Sequence, residues 1–468
     1  VTFDVPILAA DVTVAVVGAG PAGLYVAEAL LRQSVATVRV DVFDRLPTPF
    51  GLLRYGVAPD HLKMKSLALT LQAILDHERV RFLGHVQIGV DLEVAELRDL
   101  YDAVVYTFGA PSDHELSVPG EGLRGSSSAS AFVGWYNGHP DVASDEFDLS
   151  TVSSAVVVGA GNVALDVTRI LVKDVTDLAA TDIPLAVIER LRASAITDVH
   201  VLSRRGPAQV KFTHKELAEL GQLSGVDLVV DPEALVLEEE DASFLAGSPA
   251  AARNVERLRL WAERPLTGAP RRVHLHFWSR PVEILGNNVV EAVSVCRRSR
   301  AADPPGSVTP TSEGAQLIPA QLLVRSIGYR GLPLPGVPFD ATSRTLPHRA
   351  GRVQREGATS LGEYVAGWIG RGSTGVVGTN RADAESVVDQ LMLDLPHLPR
   401  RADAPDVVAL LRAGGVPYVD SDGWSRIDRA ERDLGARHGR ERIKLSSLPE
   451  LLEAAHELRV GTGITDQI

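Results

Sequence analysis

The stretch Val12–Gly23, V-T-V-A-V-V-G-A-G-P-A-G, decides how the whole chain is read. Its β-branched run suits a strand buried in a parallel sheet, and it breaks into Gly18-x-Gly20-x-x-Gly23 before the apolar run Leu24–Leu31 predicts a helix. Strand, tight turn and helix in that order make the first half of a dinucleotide-binding unit. Gly18 is expected to bend the chain, Gly20 to let a pyrophosphate approach the backbone, and Gly23 to let helix and strand pack closely. Pro21 and Ala22 open the helix, whose unpaired N–H groups and positive end would face the phosphates. A second strand, Val38–Phe43, ends in Asp44, at the separation from which an acidic residue grips a ribose hydroxyl. The alternative, a βα turn that holds no ligand, loses ground in this context.

Working outward, the pattern returns at Ala155 as A-V-V-V-G-A-G-N-V-A-L-D-V-T-R-I-L, too far away for a solenoid repeat and therefore a second nucleotide-binding unit. Ala160, Gly161, Asn162 and Val163 fall at the helix start, and Ala164 takes the third glycine position, as the fingerprint permits. The next strand, Asp198–Leu202, leads into Ser203-Arg204-Arg205-Gly206. Where an NAD site places an acid on the ribose, two arginines offer fork-shaped donors to a 2′-phosphate and select NADP. The competing reading is a solvated basic turn.

Composition narrows the remaining possibilities. With 468 residues, 45% apolar and 23% charged, the chain is an ordinary globular protein of two or three domains. No apolar run approaches the roughly 18 residues needed to cross a bilayer, and no basic region precedes an apolar block, so a cytoplasmic protein without membrane insertion is expected. Val1 stands where methionine would, compatible with an alternative start codon or a piece of a longer chain. A net charge of −13 argues against nucleic acid as the main partner. The sequence leaves the oligomeric state open, with a monomer favoured. The single cysteine, Cys296, excludes an intramolecular disulfide, a C-x-x-C redox pair and a thiolate cage for zinc or iron–sulfur. Redox work must therefore run on a bound organic cofactor. His274 and His276 alternate on one strand face, but no third ligand is evident and no metal is assigned.

Between these landmarks, Arg45–His61 carries three prolines and two glycines and reads as a ligand-facing segment or a structural Ω-loop. Lys63–His77 predicts a helix with Met64, Leu67, Leu71 and Ile74 as a core stripe. Val80–Asp91 and Ala103–Thr107 read as strands. Phe212–Leu220 predicts a helix whose Glu216 either approaches the cofactor groove or is a surface charge. The acidic run Glu238–Asp241 and the loop 301–314 read as solvated connections. Arg253, Arg257, Arg259, Arg271 and Arg272 form either a basic patch that steers an acidic partner or a scattered solvated surface. Near the end, Gly367–Asn380 precedes a helix predicted over Asp383–Leu395; its backbone N–H groups suit the pyrimidine end of a flavin, and Trp368 either packs on that ring or sits in the core.

Four stretches together carry a resemblance: L-P-T-P-F-G-L-L-R-Y-G-V-A-P-D-H (46–61), G-A-G-N-V-A-L-D-V-T-R-I-L (159–171), S-R-R-G-P-A-Q-V-K-F-T-H-K-E-L (203–217) and G-W-I-G-R-G-S-T-G-V-V-G-T-N (367–380). The chain resembles the adrenodoxin reductase type of ferredoxin–NADP reductase, particularly its bacterial members, over nearly its whole length. The resemblance implies an α/β fold of two Rossmann-like, glutathione reductase-like domains, the NADP domain inserted into the FAD domain. It places a first FAD part at residues 1–112, an NADP domain at 113–329, and a second FAD part with a C-terminal extension at 330–468. It further implies FAD at Gly18–Gly23, Asp44, Leu52, Val86, Trp368 and Gly375, Val376 and Val377, with NADPH at Ala160–Val163, Arg204, Arg205, Glu216 and Gly375. His61, Glu216 and Asp166 become tuning and positioning groups near the redox centre. Hydride would pass from NADPH to FAD, and single electrons onward to a ferredoxin-type iron–sulfur protein. A flavin monooxygenase, or a binding protein that retains FAD structurally, are the alternatives; a disulfide reductase fails for want of a cysteine pair. Two positions depart from the family: Asp44 is one methylene shorter than the usual glutamate, and Gly372-Ser-Thr-Gly375 replaces the usual G-P-T-G.

Overall fold

The computed structural model describes residues 11–297, 315–375 and 377–456, and only the backbone of Val377. Val376 and the loop 301–314 lie outside the described residues. The chain separates into two units, one from the residues up to Val57, His61–Pro111 and Arg330 onward, the other from Ala58–Asp60 and Ser112–Tyr329.

In the first unit Val12–Val17 lies inside a seven-stranded sheet, parallel to Val38–Asp44 on one side and Ala103–Tyr106 on the other. The two-residue period of the strand splits its side chains between two cores. Val12, Val14 and Val16 join Leu24, Leu30, Val388 and Leu391 under the helices, while Ala15 and Val17 join Phe43, Leu83, Tyr106 and Val353 on the opposite face. Each fully buried valine or leucine contributes roughly 1.5–3 kcal/mol relative to exposure. Helix Pro21–Leu31 packs against helix Val377–Asp394, and strand Ala358–Val365 pairs parallel with Ala103–Tyr106. The end of the chain thus builds the same sheet as its beginning.

The second unit repeats the plan with a six-stranded sheet in which Ser154–Val158 lies between Leu322–Arg325 and Asp198–Leu202, all parallel. Ala155 and Val157 face helix Asn162–Val172, and Val156 and Val158 face a separate core with Ile284, Val293 and Ile318. Those last residues belong to a three-stranded antiparallel sheet, Ser279–Leu285, Ala292–Arg297 and Gln316–Pro319.

Several boundaries move from their sequence positions. The helix expected over Lys63–His77 is two, Leu62–Lys65 and Leu67–Leu75, broken at Ser66; Leu71 and Ile74 are buried but Met64 is exposed. Strand Val80–Gly84 stops early because His85 adopts a positive φ and turns back, its N–H donating to Leu46. The helix expected over Asp383–Leu395 runs over Val377–Asp394, its start hidden in the sequence by glycine and threonine. In the acidic run at 238–241 the three glutamates are exposed as expected, but the run opens helix Glu239–Ala246 rather than forming a loop; negative charge there complements the helix dipole, and Asp241 is buried and accepts from the Glu238 N–H.

Candidate functional site

At the first glycine turn the three glycines are held by three different constraints. Gly18 has φ of 114°, and a Cβ there would sit 2.8 Å from the Phe108 backbone. At Gly23 a Cβ would meet the Gly18 carbonyl at 2.0 Å and Thr107 Oγ1 at 2.7 Å. Gly20 is different: its neighbour in that direction is Gly51 Cα at an ordinary van der Waals distance of 3.9 Å, so a Cβ there would meet no clash. No side chain caps helix Pro21–Leu31, which leaves its first N–H groups for a ligand.

Asp44 lies beside this turn. Its carboxylate accepts from the Ala19 N–H at 2.9 Å and from the Leu46 N–H at 3.0 Å. Burial raises its pKa, and the two backbone donors work against that rise. Each carboxylate oxygen retains a lone pair for a further donor such as a ribose hydroxyl. Val86, with its side chain buried, donates its N–H to the Asp44 carbonyl at 2.9 Å, and Leu52 is exposed just after Gly51. From the other end of the chain Gly367, with φ of 74°, approaches so closely that a Cβ would meet the Ala22 Cβ at 2.7 Å. Trp368 is half-buried rather than a core residue, and its Nε1 donates to the Thr374 carbonyl at 3.1 Å. Gly375 is exposed with φ of 85°.

The second turn is built alike and left more open. Gly159 has φ of 150°, and a Cβ would strike the Ser326 carbonyl at 2.1 Å, whereas one at Gly161 would meet nothing within 4 Å. Helix Asn162–Val172 also lacks a side-chain cap. Ala164 is fully buried, and Ala160, Asn162 and Val163 are partly exposed along the turn. The Gly159 N–H donates to the Leu202 carbonyl at 3.0 Å, which sets Arg204 and Arg205 next to the turn. Both arginines are exposed, and neither guanidinium has a hydrogen bond or ion pair among the described residues.

Glu216 and Asp166 converge on a residue that sequence reasoning passed over. Glu216 is not a surface charge: only 6% exposed, it lies on helix His214–Leu220, whose cap is Thr213. Arg169, 2% exposed, meets it at 3.6 Å, Asp166 at 2.9 Å, and Asp60 through two bonds of 2.8 and 2.9 Å. Lys173 adds a bond to Asp60 at 2.9 Å. Burial disfavours the Asp60 charge, but hydrogen bonds and charges from Arg169 and Lys173 outweigh it and hold the carboxyl well below its usual range. The signal available in the sequence was the three-residue spacing of Asp166 and Arg169 on one helix, with Lys173 just past its end. His61, in the first unit, is buried at the start of helix Leu62–Lys65.

Two further readings change. The five arginines do not form a common free patch: Arg271 donates to the Val172 carbonyl at 3.0 Å, Arg272 pairs with Asp198 at 2.9 Å, and Arg257 meets His214 at 3.3 Å. The histidine pair also has a third member. His200 stacks on His274 with ring centroids 4.4 Å apart and shares a hydrogen bond of 3.0 Å with His276.

Two glycine turns, each at the carboxyl end of a parallel strand and opening a helix, with an acid beside one and exposed arginines beside the other, define a two-dinucleotide oxidoreductase. A family model described as "Pyridine nucleotide-disulphide oxidoreductase" matches residues 12–224. The chain is 44% identical over 454 residues to the NADPH-ferredoxin reductase FprA of Mycobacterium leprae, covering 95% of this chain and 98% of that protein. It is 37% identical over 459 residues to the mitochondrial NADPH:adrenodoxin oxidoreductase of Arabidopsis thaliana, covering 94% and 95%. The solved structure of Mycobacterium tuberculosis FprA in complex with NADPH matches with a TM-score of 0.89 at 43% identity, covering 95% of this chain and 100% of that one. The chain belongs to the NADPH–ferredoxin reductases of the adrenodoxin reductase family. Disulfide chemistry does not come with the family model's description, since Cys296 is the only cysteine.

Proposed function

We propose that this chain takes reducing equivalents from NADPH and delivers them one at a time to a ferredoxin-type iron–sulfur protein, with FAD at the first glycine turn and NADPH at the second. The unit containing Val12–Val17 is then the FAD domain, and the inserted unit of Ser112–Tyr329 is the NADP domain. The observation that carries this reading is the pair of uncapped glycine turns with opposite neighbours, half-buried Asp44 hydrogen-bonded into one and exposed Arg204 and Arg205 beside the other. The residues fit the groups: Gly20 and Gly161 leave room that a Cβ would occupy, and both helix starts offer unpaired N–H donors.

Bound flavin supplies the conversion between paired electrons from a nicotinamide and the single electrons an iron–sulfur cluster accepts. The chain's residues bind and orient. Gly18–Gly23 hold one pyrophosphate, Asp44 takes a ribose hydroxyl, and Leu52, Val86, Trp368 and the backbone at Gly375 and Val377 enclose the remainder of FAD. Ala160–Val163 hold the second pyrophosphate, and Arg204 and Arg205 take the 2′-phosphate. Arg169 pairs with Asp166 and Glu216 and holds both carboxylates in place, where they tune and position rather than act as general acids or bases. His61 is assigned the same kind of role.

Release and identification of the bound flavin, followed by ferredoxin-dependent cytochrome c reduction with NADPH and with NADH, tests the assignment. FAD and a strong preference for NADPH are expected. Absence of flavin, or turnover that ignores ferredoxin, would overturn it.

A further inference from the structure

The carboxyl-terminal part of the chain shows no chemistry in its sequence, yet it contains a buried charge cluster that reaches the wall of the first glycine turn. Glu431, on helix Ser421–Arg437, has a fully buried side chain, and that of Arg54 is 5% exposed. Arg54 Nη1 donates to Glu431 Oε2 at 3.1 Å, and Nη2 donates to Oε1. Arg442 Nη1 donates to the same Oε2 at 2.7 Å, and the Leu445 N–H donates to Oε1 at 3.0 Å. A second tether runs from Lys444 Nζ to the Arg54 carbonyl at 2.9 Å. The Arg54 guanidinium also lies over the rings of Tyr55 and Trp424, 5.1 and 5.4 Å from their centroids. Burial works against the Arg54 charge, and Glu431 together with Tyr55 outweighs it.

Arg54 belongs to Gly51–Tyr55, a helix of five residues, too short to hold its own place. What anchors it comes from elsewhere in the unit. At its start Phe50, in the left-handed region with φ of 79°, donates its N–H to the Ala19 carbonyl at 2.8 Å and packs edge-on against Trp424 at 5.8 Å. A Cβ on Gly51 would stand 3.1 Å from Gly20 Cα. Any shift of this helix therefore moves the wall of the turn. A buried ion pair is a weak source of net stability but a strict geometric constraint.

We propose that Glu431 is a positioning residue of the flavin site, fixing Arg54 and through it the wall formed by Phe50 and Gly51 against Gly18–Gly23. The proposal rests on reading that turn as the FAD site.

The test is FAD release from the diluted holoprotein, followed by free-flavin fluorescence, together with visible circular dichroism of the bound flavin. Glu431→Gln is expected to raise the Kd for FAD at least tenfold and to alter the dichroism at saturating FAD. Glu431→Asp, which keeps the charge, is expected to lose less. Asp428→Asn, which loosens Arg442 and Arg432 without touching Gly51–Tyr55, is expected to leave the Kd within twofold. If Glu431→Gln does not accumulate as folded protein, Lys444→Met cuts the second tether and carries the same expectation. A Kd within twofold of wild type with unchanged dichroism overturns the proposal, as does an equal loss in Asp428→Asn. Wild-type protein that holds no flavin refutes the FAD reading, and the proposal falls with it.

Discussion

The two glycine turns share a sequence pattern and differ in their surroundings. At the first, Gly51 closes in on Gly20, Asp44 is hydrogen-bonded into the turn, and Gly367 arrives from the far end of the chain. At the second, Gly161 faces open space, and the adjoining Arg204 and Arg205 are exposed. An enclosed turn suits a group that stays, and an open one with exposed cations suits a charged group that arrives and leaves each cycle. On the proposed assignment, the same motif would serve retention in one unit and exchange in the other.

Substitutions that fill the turns should separate these roles. Gly23→Ala has the largest expected effect, because its Cβ would stand 2.0 Å from the Gly18 carbonyl. A loss on the order of 3 kcal/mol in urea unfolding, with little flavin retained, is predicted. Next comes Arg204→Ala with Arg205→Ala: removing each charge-assisted hydrogen bond to the phosphate should cost about 1.5–3 kcal/mol in NADPH binding, with NADH use and flavin content unchanged. An unchanged cofactor preference would mean that the 2′-phosphate goes elsewhere.

A pH scan sharpens the comparison in the second unit alone. Burial, then the charges of neighbouring histidines, lowers the pKa of His200 to about 3 and of His276 to about 4. Arg272, Arg297, Asp198 and Asp231 complete the surrounding charges. With folded pKa values below the unfolded value of about 6.5, the unfolded state takes up protons first, so stability is full above that pH and falls as pH drops from about 6.5 toward 4. The slope approaches about 1.4 kcal/mol per pH unit for each group. Unfolding midpoints at a series of pH values check this, and His200→Gln should flatten the fall. The smallest expected effect is that of Gly161→Ala on stability, within about 0.5 kcal/mol, since the new methyl meets nothing. A large loss there would show that the second turn is as crowded as the first.

Both glycine turns, the strands that feed them and the neighbouring arginines were legible in the sequence, because backbone geometry at a βα turn restricts residue type over a short span. Asp166 and Glu216 were visible as candidates, and the spacing of Asp166 and Arg169 on one helix hinted at that pair, but nothing local ties Arg169 to Glu216 or to Asp60, far away in the chain. His200 escaped for the same reason, since only the parallel register of Asp198–Leu202 with Arg271–His276 sets it opposite His274. Glu431 and Arg54 are hundreds of positions apart, and local patterning says nothing about such a pair. Element ends moved where a cap or a positive φ, rather than apolar periodicity, fixed the boundary, as at Ser66 between two helices and at His85 after a strand.

The division of labour between the turns is tested most directly by mixing the anaerobic yellow holoprotein with one equivalent of NADPH and following the visible flavin band. Prompt bleaching, restored on adding oxidised ferredoxin and much slower with NADH, is the predicted result. A band that dithionite bleaches but NADPH leaves intact would contradict the account.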